Sequence, residues 1–452
     1  MIRGIPKHGD SLFHIPCELI ALPLGKISKY RNIGLVTSPG SGIVKVRFFV
    51  HTKVRFMKLH GNLFQKIVTK ENILTAHQHA RKGKGWYVQV KTVEQDVENG
   101  GEMLEALRQS LIHHTFHTSK YTMTQRKEGN KIRDLYKLTY YPDRIAQWAV
   151  IQVIEPIIIH HLISDTYSAI PNRGIHLGLE RVQKAMREDV PGCQYCLKLD
   201  AKHFYQSINH EILKDKFRRL FKDPDLLWFI DEVIDSIETA TAEDRERLQH
   251  LKPLDIVVLT RYIRGRKETP EERRIRYEQS GIGLPIGNYF SQYGGNYYFS
   301  EFDHYMKEVL HVKHYFRYMD DIVIFGESKE YLRSLCGEID DYFQTNMRIT
   351  LKDNFQIFPT YVRGVDYLGY RSFLHYTLLR KSTCLSYKRK MRAIKKKVDN
   401  NVEMSYSDYC AFNSYKGWLK PCDHYRLYHK YGKPLEKAVN AYYVNNIQKK
   451  KG

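Results

Sequence analysis

The stretch FRYMDDIVIF, residues 316–325, sets two acidic side chains between flanks of aromatic and β-branched residues. Phe316–Met319 and Ile322–Phe325 are predicted to be two strands, and the two acids form the tight link between them. Apart from Arg317 the strands are apolar or aromatic on both faces, which predicts a buried hairpin rather than a surface ribbon. Adjacent buried carboxylates are costly, because burial and the neighbouring charge both raise their pKa. An Asp-Asp turn at a solvated hairpin tip would avoid that cost. A second observation is needed to decide between such a turn and a functional pair of acids.

A third acid lies in another strand-like segment, YCLKLDAKHFYQSINHEIL, residues 195–213. The pattern predicts a short strand that ends at Asp200, is buried on at least one face, and turns into a helix. If Asp200 converges with Asp320 and Asp321 at one sheet edge, the three form the oxygen-rich site that Mg²⁺ prefers. Two such ions about 4 Å apart activate a 3′-hydroxyl and stabilise a departing pyrophosphate. The three acids are therefore predicted to hold divalent cations.

The balance of charge predicts a polyanionic partner. Among the 452 residues, Lys and Arg number 72 and Asp and Glu 50, for a formal net charge of +22. Nucleic acid is the usual partner of such a chain, and the 33 Tyr residues offer faces on which bases can stack. The sequence contains no long apolar stretch, which argues against a membrane as the partner. Seven scattered Cys and the lack of an export signal predict a cytoplasmic protein.

The sequence predicts four segments. They are a β-like appendage at 1–56, a largely helical part at 57–190, a part with the three acids at 191–372 that includes a charged insertion at about 222–280, and a basic helical part at 373–452. Translation could also begin at Met57, so whether the appendage is translated in the cell stays open.

Basic residues form three candidate contacts with nucleic acid. Lys131 and Arg133 share a face of a hairpin predicted over 121–138, either aimed at phosphate or on a solvated edge strand. Arg173 lies in a Pro/Asn/Gly loop that is either a plain turn or an approach to a template phosphate. A basic helix at 388–398 either contacts nucleic acid, the interpretation we favour, or is simply exposed. The cations singled out in this helix are Lys388, Arg389 and Lys395.

The ordered motifs of the chain resemble those of reverse transcriptases. They are LKLDAKHFY (197–205), GLPIGNYFSQ (283–292), YMDD (318–321), ITLKDNF (349–355) and VDYLGYR (365–371), with NKIRDLYKL (130–138) and YYPDR (140–144) upstream. Their order and spacing make the resemblance specific. It implies an α+β right-hand polymerase with fingers, an antiparallel palm sheet and a helical thumb. It also implies an RNA-directed DNA polymerase that adds dNTPs to a primer 3′-hydroxyl on an RNA template and yields a DNA product.

The resemblance assigns roles by position. Asp200, Asp320 and Asp321, with the Ala201 carbonyl, would hold two Mg²⁺ ions, or Mn²⁺ in their place. Tyr205 would crowd the sugar 2′ position and select deoxynucleotides, which speaks against an RNA-dependent RNA polymerase. The other residues implied at the nucleotide are Lys131, Arg133, Ile286, Gly287, Gln292 and Lys352. Gly287 would allow a close approach to nucleotide and template, and Lys352 would protonate the pyrophosphate unless it is an ordinary surface lysine. In the primer-grip hairpin, Gly369 is implied to contact nucleic acid.

One departure from the common family pattern concerns Ile286, where many members have Gln. The form IGNYFSQ resembles the polymerases of diversity-generating retroelements and their bacterial relatives, and an apolar residue there implies looser base selection. Other segments resemble phage-defence reverse transcriptases, and the two branches are not separable by sequence alone. We predict a reverse transcriptase in antiphage defence that works on a structured noncoding RNA. The alternatives are an error-prone enzyme of a diversity-generating retroelement and an inactive RNA-binding relic, and an accessory protein or homo-oligomer stays open.

Overall fold

The computed structural model describes residues 59–128, 131–252, 260–263 and 265–448, except for the side chains of Glu128 and Lys131. The predicted appendage at 1–56 and the alternative start at Met57 lie outside the described residues.

The described chain combines helices with antiparallel strands, which confirms the predicted α+β class. The helices are α1 (Phe64–Ile67), α2 (Lys70–Ala80), α3 (Val88–Glu98), α4 (Glu102–Ile112), α5 (Ile145–His160), α6 (Ile175–Glu188), α7 (Phe204–Ser207), α8 (His210–Arg218), α9 (Pro224–Asp235), α10 (Ala242–Gln249), α11 (Pro270–Glu278), α12 (Tyr289–His304), α13 (Lys329–Tyr342), α14 (Thr360–Arg363), α15 (Lys381–Asp399), α16 (Tyr406–Leu419), α17 (Tyr425–Tyr431) and α18 (Glu436–Asn446). The strands are β1 (Thr122–Glu128), β2 (Lys131–Lys137), β3 (Tyr195–Lys202), β4 (Tyr262–Ile263), β5 (Arg266–Lys267), β6 (Tyr315–Tyr318), β7 (Asp321–Gly326), β8 (Thr350–Leu351), β9 (Gln356–Pro359), β10 (Val365–Tyr367), β11 (Tyr370–Ser372) and β12 (Thr377–Leu379).

Local signals explain where several of these elements begin. Thr69, the N-cap of α2, accepts a hydrogen bond from the Asn72 backbone nitrogen. Ser328 and Ser405 cap α13 and α16 in the same way. The hairpin predicted over 121–138 is present as the antiparallel pair β1–β2. None of the described helices is both long and apolar enough to cross a bilayer.

The central sheet has the strand order β6-β7-β3-β8, and β9 also pairs with β3. All pairs are antiparallel. Leu197 and Leu199 of β3 belong to the main buried cluster, which runs from Leu63 to Leu351 and includes residues of α5, α8, α9 and α12. Cys196 points to a second cluster on the other face. β3 is therefore a central strand that is covered on both sides.

The predicted insertion at 222–280 is more closely integrated than its charge suggested. α9 contributes buried apolar residues to the main cluster. Arg276 of α11 donates to Asp215 at 3.1 Å and to Glu268 at 2.9 Å. Acids on α8 and before α11 therefore hold the Arg276 guanidinium, whereas Arg274 stays at the surface.

The C-terminal part forms a third buried cluster around the predicted basic helix. α15 contributes Tyr387 and Met391, and α16 contributes Phe412. The small sheet β10-β11-β12 precedes these helices, and its Tyr370 joins the same cluster. This packing joins the VDYLGYR hairpin to the helices that follow it.

Candidate active site

The central sheet brings the three predicted acids together. Asp200 of β3 pairs directly with Asp321 of β7, and residues directly opposite in an antiparallel pair project to the same face. The carboxyl group of Asp320 is hydrogen-bonded to that of Asp200. Ala201, whose carbonyl was the fourth predicted ligand, is buried and pairs with Leu351.

The local backbone differs from the prediction in two places. β3 does not end at Asp200 but continues through Lys202, because β8 supplies a new partner for its last two residues. The turn between β6 and β7 is formed by Met319 and Asp320, whereas Asp321 already pairs with Tyr318. The acids therefore differ in setting, since two lie in the sheet and one lies in the turn.

The electrostatics of the site are set by burial and two lysines. Burial, reinforced by the charge of Asp200 and the hydrogen bond to it, raises the pKa of Asp320 to about 7. Burial also raises the pKa of Asp321, and the Lys198 ammonium opposes this effect. Lys198 Nζ lies 3.4 Å from Asp321 Oδ1, and the Lys352 ammonium donates a hydrogen bond to Asp200 Oδ2. Lys198 and Lys352 thus bring positive charge to Asp321 and Asp200.

Two carboxylate oxygens in this site fit a divalent cation. Asp200 Oδ1 and Asp321 Oδ1 are buried and accept no well-aligned hydrogen bond from a described residue, although the Lys198 ammonium lies 3.4 Å from Asp321 Oδ1. Unsatisfied buried acceptors are costly, and a hard cation would satisfy them. In the described part of the chain, no three His, Cys, Asp or Glu side chains are already grouped as a metal site. Lys198 pairs with Asp321 and Lys352 pairs with Asp200, so a cation would compete with these two lysines for the carboxylates.

Tyr205 lies beside the acidic turn. Its hydroxyl donates to Met319 Sδ at 3.6 Å, and a Cβ added to Gly295 would lie 3.4 Å from its ring. Burial raises the pKa of Tyr205, the Asp320 charge adds to the effect, and the Arg133 charge opposes it. The hairpin that carries Arg133 thus acts on the same phenol as the acids.

Gly287 has a structural reason for lacking a side chain. Its φ is 122°, and a Cβ there would lie 2.7 Å from the Tyr136 carbonyl oxygen of β2. Tyr136 N donates to the Ile286 carbonyl at 2.9 Å. The structure therefore uses Gly287 to dock the β1–β2 hairpin, and the predicted approach to the nucleotide stays a prediction.

The surroundings of four other predicted site residues do not by themselves indicate binding. Gln292 is exposed on α12, and the Lys131 side chain lies outside the described residues. Arg173 Nη1 donates to the Ile163 carbonyl at 2.7 Å, so part of its guanidinium holds its own loop. Gly369, with φ 88°, accommodates the Trp418 ring, because an added Cβ would lie 2.5 Å from Cζ3. For each of them a role in binding stays a prediction.

The predicted basic helix carries an open groove of about 430 Å³. It is lined by Leu385, Lys388, Arg389, Arg392 and Tyr431. The Arg392 guanidinium lies 5.2 Å from the centre of the Tyr431 ring. Lys395, by contrast, pairs with Asp399 at 2.8 Å. The groove combines cations with an aromatic face, and the paired Lys395 is the weaker candidate of the three predicted.

Sequence reasoning missed the contacts that join the acids to the VDYLGYR hairpin. Lys198 Nζ donates to the Asp366 carbonyl at 2.6 Å, and Arg380 Nε donates to Asp366 Oδ1 at 2.6 Å. The available signal was that Lys198 precedes Asp200 by two residues and so shares its face of β3.

Comparisons with known proteins show which family the chain matches. The family model described as "Reverse transcriptase (RNA-dependent DNA polymerase)" matches residues 125–372, more than half of the chain. No curated protein matches. Among solved structures, the chain is similar to telomerase from Candida albicans in complex with a TWJ fragment of telomeric RNA, with 10% identity, 60% of this chain and 50% of that chain covered, and a TM-score of 0.36. It is similar to apo telomerase from Candida tropicalis, with 11% identity, 65% and 53% covered, and a TM-score of 0.38. The chain spans about half the length of these proteins.

Proposed function

The chain belongs to the reverse transcriptase family, and from that premise we propose that it is an RNA-directed DNA polymerase with its catalytic centre at Asp200, Asp320 and Asp321. The observation that carries the proposal is the direct pairing of Asp200 with Asp321, next to a turn that presents Asp320. The buried Asp200 Oδ1, which accepts no well-aligned hydrogen bond from the described residues, adds support.

In the proposed reaction the primer 3′-oxygen attacks the α-phosphorus of a dNTP. A new P–O bond forms, and the bond to pyrophosphate breaks as that group leaves. The three acids would hold divalent ions, Mg²⁺ or Mn²⁺, which supply charge to the attacking and departing oxygens. Tyr205 would occupy the space of a ribose 2′-hydroxyl, and Arg133, with Lys131, would bind the triphosphate. Lys352, once released from Asp200, would give a proton to the pyrophosphate.

We assign residues 57–190 to the fingers, 191–372 to the palm and 373–452 to the thumb. The proposed fingers and palm share the main buried cluster, whereas the C-terminal helices pack in a separate cluster that also contains Leu179 and Tyr370. The groove beside Lys388 and Arg389 would contact the template–primer backbone through phosphates, a contact that salt weakens.

The active site is tested by replacing Asp320 and Asp321 together with asparagine. The double variant should lose Mg²⁺-dependent extension of oligo(dT) on poly(rA), because amides do not replace the charge that holds the cations. Asp353→Asn is the matched control, since this nearby acid is 94% exposed and belongs to no predicted role. Extension retained by the double variant would reject the assignment.

For the biological role, we propose antiphage defence on a cognate structured noncoding RNA. Support comes from the segments RGVDYLGYR (363–371) and YTLLRKS (376–382), which resemble those of phage-defence reverse transcriptases. Sequencing RNA and DNA that copurify with the protein tests this role. A single recurrent structured RNA supports it, and an unselective mixture of RNAs contradicts it.

A second candidate is error-prone synthesis in a diversity-generating retroelement, which Ile286 favours. An apolar side chain removes an amide that could bond to the nucleotide. A product that is mutated relative to its copurifying template would favour this candidate. An inactive relic is disfavoured, because all three acids are present and adjacent.

A further inference from the structure

Arg317 lies directly before the acidic turn and is completely buried together with its partner Asp303. Its Nε and Nη2 donate to the two carboxylate oxygens of Asp303 at 2.7 and 2.5 Å. Its Nη1 donates to the Met319 carbonyl at 3.0 Å. One planar guanidinium therefore connects helix α12 to the turn that presents Asp320.

Asp303 is itself fixed from several directions. It accepts hydrogen bonds from Tyr315 Oη at 2.6 Å and Thr166 Oγ1 at 3.3 Å. The guanidinium of Arg317 also lies 4.7 Å from the centre of the Phe299 ring. The anchor for the turn is therefore a fully bonded network inside the core, with little room to move.

Stability alone is a weak reason for this buried ion pair, because well-packed apolar residues often stabilise a core at least as well. The turn supplies another reason. Met319 has φ 53°, a left-handed conformation that is unfavourable for a residue with a Cβ. Such strain persists where the surroundings fix it, and the bond from Arg317 to the Met319 carbonyl is a contact that does so.

The Met319–Asp320 peptide, which Arg317 holds, is linked both to Tyr205 and to an acid of the proposed catalytic centre. Met319 Sδ accepts the Tyr205 hydroxyl at 3.6 Å, and Asp320 is the next residue. We propose that Arg317 is a positioning residue that fixes the Met319–Asp320 turn, and through it sets both cation affinity and sugar selection. This inference rests on the proposed polymerase function and deepens it.

Arg317→Lys tests the inference, because one ammonium keeps the charge for Asp303 but cannot reach Met319 as well. We expect about a tenfold loss of Mn²⁺ affinity, measured by calorimetry on the free protein, since one of its acids is misplaced. We expect rNTP incorporation to rise about tenfold relative to dNTP incorporation. The kcat for dTTP should fall by up to about 100-fold, as a displacement near 1 Å can cause. Wild-type Mn²⁺ affinity and wild-type sugar selection in this variant would overturn the proposal.

Lys216→Met is the matched control. Lys216 is 3% exposed and pairs at 2.7 Å with Glu301 of helix α12, the helix that carries Asp303, so its loss removes a buried cation from an ion pair elsewhere. Equal changes of Mn²⁺ affinity and sugar selection in both variants would reduce Arg317 to a structural role and overturn the proposal.

Asp303→Asn provides a second route if Arg317→Lys does not fold, because it keeps the side-chain shape and removes the negative charge that orients the guanidinium. Wild-type values in this variant would also overturn the proposal. The Mn²⁺ measurement separates the two proposals, since it needs no polymerisation. A wild-type chain that binds Mn²⁺ but extends no primer contradicts the proposed function and leaves the test of Arg317 intact.

Discussion

Replacing Gly287 with alanine should displace the β1–β2 hairpin while the rest of the fold persists. The backbone at Gly287 has φ 122°, and the new Cβ would lie 2.7 Å from the Tyr136 carbonyl oxygen. The unfavourable φ costs about 1–3 kcal/mol. Loss of the hydrogen bond from Tyr136 N to the Ile286 carbonyl adds about 1 kcal/mol. The docked position of the hairpin is thus disfavoured by about 2–4 kcal/mol in total.

The assay is single-nucleotide extension with dTTP on poly(rA)/oligo(dT), together with thermal unfolding. Because the hairpin carries Arg133, kcat/KM should fall at least about tenfold, the equivalent of 1.4 kcal/mol. Gly337→Ala in α13 is the control, since its Cβ would meet nothing within 4 Å. It should leave kcat/KM unchanged and stabilise the helix by about 1 kcal/mol. Wild-type kcat/KM and melting temperature in Gly287→Ala would refute the docking argument.

Three further predictions concern selection and stability. Tyr205→Ala should admit ribonucleotides, whereas Tyr205→Phe should not, because the ring and not the hydroxyl fills the 2′ space; equal rNTP use by both variants would contradict this. Ile286→Gln should lower misincorporation on a defined RNA template. An unchanged error spectrum would contradict a role of residue 286 in base selection. Burial alone would raise the pKa of Asp408, but hydrogen bonds from Lys397 and Lys390 at 2.7 and 2.9 Å hold it well below its usual value. Its contribution to stability is therefore present above about pH 4, its unfolded value, and is lost as the pH falls further. Asp408→Asn should lower stability by about 1–3 kcal/mol at pH 7 and flatten the acid limb of the unfolding curve.

The helices and hairpins of the fold were predictable because their signals are local. The cap Thr69 and the hairpin over 121–138 depend on residues close in sequence. The full length of β3 was not predictable, since the partner of Ala201 is Leu351, which arrives from a distant segment. The position of the acidic turn was missed for another reason. Met319 has positive φ, and such positions favour glycine or asparagine, so no residue type marked it.

Within the candidate site, residue type predicted the acids but not their immediate partners. Three Asp residues in two strand-like segments indicate an oxygen-rich site on chemical grounds alone. The contacts of Lys198 and Arg317 depend instead on which distant elements pack beside them, namely β10 and α12. The sequence marks Arg317 only as the exception in an apolar strand.

The three acids are held by different means, which ranks their sensitivity to remote changes. Asp200 and Asp321 belong to a ladder between β3 and β7 that is covered by buried clusters on both faces. Asp320 lies in the turn outside that ladder, and its peptide neighbour is in a strained conformation held by Arg317. A ladder resists displacement through many hydrogen bonds, whereas a strained turn depends on the few contacts that fix it. Changes away from the site should therefore act on catalysis mainly through Asp320.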